Sequence, residues 1–128
     1  MKIYVAAASK ELERAKNVMC KLRGFGHTIT HDWTVEVEKY KNEIPSDDIL
    51  TQCAENDYQG VFSATALVLL SPEIQNITIG AWTELGVALA LHKTIFISGN
   101  ADKCIFSYMG DVHKFDNDEE LLFELQGW

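Results

Sequence analysis

Ala66-Leu67-Val68-Leu69-Leu70 is the most hydrophobic strand-like run in the chain, and the segments after it set the architecture. A loop from Ser71 to Ile79 comes next, then a helix from about Gly80 to His92. A second apolar run, Thr94-Ile95-Phe96-Ile97-Ser98, closes the unit. Short runs that are apolar at nearly every position suit strands buried on both faces, as in a parallel sheet.

The same alternation continues in both directions. Upstream, Ile3 to Ala7 reads as a buried strand. Ser9 is a plausible N-cap for a helix from about Lys10 to Arg23, whose Leu12, Ala15, Val18, Met19 and Leu22 recur at helical spacing. Gly24 and Gly26 end that helix. A short strand, His27 to Thr30, leads into His31-Asp32-Trp33. Residues 34–45 are polar without a clean period and read as a loop or mobile segment stopped by Pro45. The next helix runs from about Asp48 to Ser63, capped by Ser46, Asp47 or Asp48, with Ile49, Cys53, Tyr58 and Val61 as inward candidates. Downstream, Val112 to Phe115 is a weaker fifth strand and Asp118 to Leu125 a last helix. Alternating strands and helices predict one α/β domain over residues 1–128, with about five mostly parallel strands covered on both faces. Ligands of such sheets sit beyond the carboxyl ends of the strands. That rule nominates four loops: Ala7-Ala8-Ser9, His31-Asp32-Trp33, Ser71 to Gly80, and Ser98 to Ser107.

Bulk properties narrow the function. The 128 residues are 47% hydrophobic and 23% charged, an ordinary globular balance. With 11 Lys and Arg against 19 Asp and Glu, the net charge of −8 argues against a nucleic-acid polymer as partner. A single nucleotide needs only a local pocket of donors and stays open. Cys20, Cys53 and Cys104 are odd in number and unpatterned, which suits reduced thiols in a cytoplasmic protein. The histidines and cysteines show no zinc spacing, so no metal is expected. The amino-terminal apolar run is too short for a signal peptide, and no run approaches a membrane span.

One residue stands out. Glu84 is the only charge in Ala81-Trp82-Thr83-Glu84-Leu85-Gly86-Val87-Ala88-Leu89-Ala90-Leu91, a helix apolar nearly all round. Burying an ionised carboxylate there without partners is costly. A capping box would require Ala81 at the N-cap, a poor capping residue. Gly80 and Gly86 bracket the glutamate, and Gly86 costs about 1 kcal/mol of helix stability relative to alanine.

The run from Gly80 to Ile95 resembles the G-x-x-x-E-L-G-x-A-x-A-x-x-K-P-I signature of the nucleoside 2-deoxyribosyltransferase superfamily, which includes 2'-deoxynucleoside 5'-phosphate N-hydrolases. Weaker matches fall in the right order: Met1 to Ala7, Gly26 to Thr30, Ala54 to Leu70, and Asp102 to Leu125. The resemblance implies a flavodoxin-like three-layer sandwich, a nucleoside or nucleotide as the small-molecule partner, and no cofactor. It assigns Glu84 as the nucleophile on the anomeric carbon. The oxocarbenium-like character of glycosidic cleavage makes a carboxylate suited to that role.

The same resemblance leads to the expected second acid. Family members often carry an Asp where this chain has Thr65, and another shortly before the glycine of the glutamate motif, where Thr78 or Ile79 stands. Asp32 and Asp57 are the local substitutes, with Asp32 the better placed. Trp33 is a candidate for stacking on a base, and His31 is the histidine best placed for proton transfer. Tyr4, Ala7 and Ser9 flank the end of the first strand, and Ser9 is a candidate for holding a 5'-phosphate or 5'-hydroxyl. Trp82 is a candidate roof for the sugar. Ser107-Tyr108-Met109 resembles a segment that reaches into a neighbouring subunit's site in phosphate-hydrolysing members, which implies a homodimer or higher homo-oligomer. Two other functions remain open at this level: a non-catalytic nucleotide sensor, favoured by Thr65, and cleavage of an NAD-like dinucleotide, by analogy of fold alone.

Overall fold

Five strands form one all-parallel sheet in the order β2-β1-β3-β4-β5. They are β1 (Lys2–Ala6), β2 (Thr28–Ile29), β3 (Ala66–Leu70), β4 (Thr94–Ser98) and β5 (Val112–Phe115). The computed structural model describes residues 1–72 and 78–128, so the middle of the expected loop from Ser71 to Ile79 lies outside the described residues. The helices are α1 (Leu12–Gly24), α2 (Thr34–Tyr40), α3 (Asp47–Ser63), α4 (Ile79–Ala90) and α5 (Asp118–Leu125). Short 3-10 turns cover Ser9–Glu11 and Ile105–Tyr108.

The sheet is the centre of three layers. β3 is buried along its whole length, pairing Val68 with Val5 on one side and with Phe96 on the other. One layer is α1 and α5, which pack together; the other is α3 and α4. α1 buries Ala15, Val18, Met19 and Leu22, and α5 buries Leu121, Leu122 and Leu125. Fully burying a large aliphatic side chain such as these leucines contributes roughly 1.5–3 kcal/mol. This is the flavodoxin-like α/β architecture that the alternation and the resemblance led us to expect.

Three local expectations change. Ser9 does not cap α1: it opens the 3-10 turn, makes no capping hydrogen bond, and α1 starts at Leu12. Residues 34–45 are not all loop, because α2 occupies Thr34–Tyr40. Its start is held by Asp32, which accepts from the Thr34 backbone N–H at 3.1 Å and from the Thr34 hydroxyl. Trp33 and Thr34 are buried and Val37 packs on the core, so tertiary burial overrides the weak local period. Tyr58, expected to point inward from α3, is exposed.

An ionic clamp joins the layers at the carboxyl end of the sheet. Arg14 of α1 donates from Nε and Nη2 to the two oxygens of Asp118 at 2.7 and 2.8 Å. Its Nη1 donates to the Ser71 carbonyl at 2.8 Å, and the Ser98 hydroxyl donates to Asp118. Burial pushes the Asp118 carboxyl up, but Arg14 and Ser98 outweigh it and hold the group below its ordinary range. The ends of β3 and β4 are thereby tied to α1 and α5.

Candidate active site

β1 and β3 are neighbours in the sheet, yet the chain leaves them towards opposite layers. A crevice opens where their carboxyl ends diverge. There a cleft of about 470 Å³ is lined by Ala7, Ala8 and Ser9 after β1, by Trp33, Glu36 and Val37 at α2, by Asp57 of α3, and by residues 78–84 around the start of α4, Trp82 excepted. That volume suits a small organic ligand.

Glu84 stands in the second turn of α4, with its carboxylate in this cleft. Its Oε2 accepts a hydrogen bond from the hydroxyl of Tyr4, which is otherwise entombed beneath the sheet's end. Burial is the main influence on the carboxyl and raises it from the ordinary 4.5 to about 7. The Tyr4 hydrogen bond opposes that rise, and the nearby Asp57 charge adds to it. The Tyr4 phenol is itself driven far upward by burial and by the two carboxylates, so it remains a proton donor to Glu84.

A second carboxylate faces the first. Asp57 projects into the cleft from the middle of α3, and burial raises it to about 6. His31 lowers it, Glu36 raises it, and Tyr4 lowers it. Its close approach depends on Gly60, one turn further along α3. A Cβ at Gly60 would sit 2.8 Å from the His31 Cβ and 2.8 Å from a Tyr4 ring carbon. Gly60→Ala therefore forces Tyr4 and His31 apart. The overpacking cost of about 1–3 kcal/mol exceeds the helix-propensity gain of about 1 kcal/mol. A lowered midpoint of denaturation, with loss of whatever activity Tyr4 supports, is the expected result.

The residues singled out from sequence divide cleanly. Tyr4, Ala7, Ser9, Trp33, Asp57, Gly80 and Glu84 meet at or directly beneath the cleft. Trp33 is buried and its indole N–H donates to the Val5 carbonyl at 2.7 Å, which fixes the ring at the cleft wall. His31 lies just behind Glu36 and Asp57. Asp32 is not brought to Glu84: its carboxylate is taken up by Thr34 and by Arg23 at 3.0 Å. Thr65 is at the opposite end of the sheet, where its hydroxyl bonds the Lys2 backbone beside the start of β3. Trp82 packs against the core rather than lining the cleft. Ser107 is buried and donates to the Ala101 carbonyl, while Met109 is exposed near the amino end of β4. Within one chain neither reaches the cleft.

Glu36 escapes a reading of the sequence because residues 34–45 look like loop. The readable signal is Asp32 before Thr34, a helix-starting arrangement that places Glu36 in a first turn. Asp57 carries a comparable signal, because Cys53, Asn56, Asp57, Gly60 and Val61 recur at helical spacing along the face of α3 turned toward the sheet.

Among the described residues, His31, Glu36 and Asp57 bring three potential ligand atoms within 4.8 Å of one another. The 2.8 Å between His31 Nε2 and Glu36 Oε1 is the spacing of an ion pair. Two ligands around a tetrahedral zinc, each about 2.0–2.1 Å from it, stand further apart.

The fold and the cleft define a flavodoxin-like α/β protein with a carboxylate pair at the point where its strand order reverses. Two solved structures share that fold. One is the 2-deoxyribosyltransferase of Bacillus psychrosaccharolyticus, with TM-score 0.69 and 20% identity over 95% of this chain and 90% of that one. The other is the CMP N-glycosidase BcmB of Clostridium botulinum, with TM-score 0.64 and 20% identity over 98% and 97%. No family model and no curated protein matches the sequence. Among the described residues no helix is long and apolar enough to cross a membrane.

Removing the Tyr4 hydroxyl isolates its electrostatic role. It stabilises the ionised form of Glu84, so Tyr4→Phe drives that carboxyl further above 7 and leaves less of it charged. Any rate that depends on the Glu84 carboxylate should fall about eightfold at pH 6.5, because a pKa higher by about one cuts the ionised fraction by that factor. Circular dichroism should show an unchanged fold.

Proposed function

We propose that this protein cleaves the N-glycosidic bond of a (deoxy)nucleoside or (deoxy)nucleotide, with Glu84 as nucleophile and Asp57 as proton donor. The observation that carries the reading is the pairing of two partly buried, upward-shifted carboxylates in one cleft, with Tyr4 bonded to the first. Groups so perturbed cluster at functional sites. The two structural neighbours, one a deoxyribosyltransferase and one an N-glycosidase, support the same chemistry.

The Glu84 carboxylate attacks the anomeric carbon as the bond to the base breaks, and the Asp57 proton passes to the departing base nitrogen. Water then displaces the sugar from Glu84, and Asp57 takes the proton that water releases. A second base entering in place of water would complete a transfer. The Thr65 that favoured a non-catalytic sensor loses its weight, because Asp57 supplies an acid from another element.

The nucleophile carries the higher value, about 7, and the acid the lower, about 6, so the productive form, with Glu84 ionised and Asp57 protonated, is a minority species at every pH and is most populated between the two. The coupled pair therefore gives a bell-shaped kcat/KM with its maximum between those values. The direct test incubates the protein with nucleosides, their 5'-monophosphates and NAD, and follows free base by chromatography. Release from a nucleoside or monophosphate supports the reading; binding without release from any of them sinks it. Adding a second base separates transfer from hydrolysis.

A further inference from the structure

We propose that His31 and Glu36 are positioning residues that act as an opposed charge pair on Asp57, one favouring its carboxylate and the other its acid form. The proposal rests on the N-glycosidase reading for its purpose: Asp57 must give up a proton and regain it within one turnover.

The geometry gathers all three groups, with their polar atoms within 4.8 Å of one another. His31 Nε2 lies 2.8 Å from Glu36 Oε1 and 3.5 Å from Asp57 Oδ1. Both Nε2 and Oδ1 are buried, and neither makes an aligned hydrogen bond among the described residues. Their coupling is therefore through charge, between side chains that are partly covered. Glu36 is anchored by α3: Asn56 Nδ2 donates to its Oε1 at 3.2 Å, and the nearness of the Glu36 carboxylate pushes the Cys53 thiol up to about 11. His31 is pressed onto α3 through the gap at Gly60. The groups facing Asp57 are thus Tyr4 from β1, His31 after β2, Glu36 from α2 and Glu84 from α4, with Cys53 on its own helix. Burial raises Asp57 to about 6; His31 works against that rise and Glu36 with it.

The two members have opposite signs, which makes the pair testable without turnover. The full chain is labelled with carboxyl-13C aspartate, and the Asp57 carbon is identified by its absence in Asp57→Asn. In His31→Gln its titration midpoint should rise by about one pH unit, and in Glu36→Gln it should fall by about as much. The double variant should return close to wild type. A midpoint unmoved in either variant, or moved the same way in both, overturns the proposal. In the base-release assay, the pH of maximal kcat/KM should shift in the same two directions. Opposed midpoints with no base release from the wild type would sink the reaction and leave the charge pair standing.

Discussion

Glu84→Gln should abolish base release and, above neutral pH, make the folded protein more stable. The loss follows from removing the attacking oxygen: the amide is isosteric but not nucleophilic, and a drop of about 10³-fold or more in kcat is expected. The gain follows from linkage. The wild-type carboxyl titrates at about 7 when folded against an ordinary 4.5, so the folded state holds the proton more tightly. Stability attached to that proton is fully present below pH 4.5 and is lost as pH rises through about 7, a loss on the order of 3 kcal/mol. Glutamine cannot ionise and escapes that loss, while its carbonyl oxygen can still accept from Tyr4. Thermal melts should separate wild type and variant by several degrees at pH 8 and bring them together near pH 4. Equal melting temperatures at pH 8 would mean that Glu84 is not held in the apolar setting described.

The second large effect belongs to Asp57. Asp57→Asn removes the transferable proton, so a neutral base must leave as an anion. A loss of about 10²–10⁴-fold in kcat is expected with ordinary nucleosides. An N7-methylated purine nucleoside carries its positive charge in advance and departs without a proton. With that substrate the first release of base, read as a burst before steady state, should slow by less than about tenfold, while the water step still needs Asp57. Asp32→Asn provides the contrast: its carboxylate serves Thr34 and Arg23 outside the cleft, so it should cost about 1 kcal/mol of stability and leave kcat near wild type. If Asp32→Asn abolished turnover and Asp57→Asn did not, the assignment of the acid would be reversed.

How much of this is legible from the residues alone depends on burial. β3 and β4 begin and end where their apolar runs do, because a strand covered on both faces has no polar position to blur it. Glu84 is equally visible, since a single charge in an apolar helix has few structural uses. α2 is hidden because its stability comes from Trp33 and Val37 reaching the core, which local periodicity does not register. Asp32 looks the better acid because it comes just after the second strand. Nearness along the chain does not reveal that its carboxylate starts a helix. Thr65 is misplaced by a whole strand length: five residues of β3 carry the chain from the edge where Thr65 sits to the cleft.

The groups proposed to react stand on regular elements: Tyr4 in β1, Asp57 in the middle of α3, Glu84 inside α4. The walls that would meet the rest of a ligand come from Ala7 to Ser9 after β1 and from the amino-terminal turns of α2 and α4. On the proposed reading, chemistry is held within strands and helices and choice of cargo at their ends. Rewriting Ala7 to Ser9 and the start of α4, while leaving Glu36 and its turn of α2 alone, gives anyone retooling this scaffold for a new sugar or base a natural place to begin.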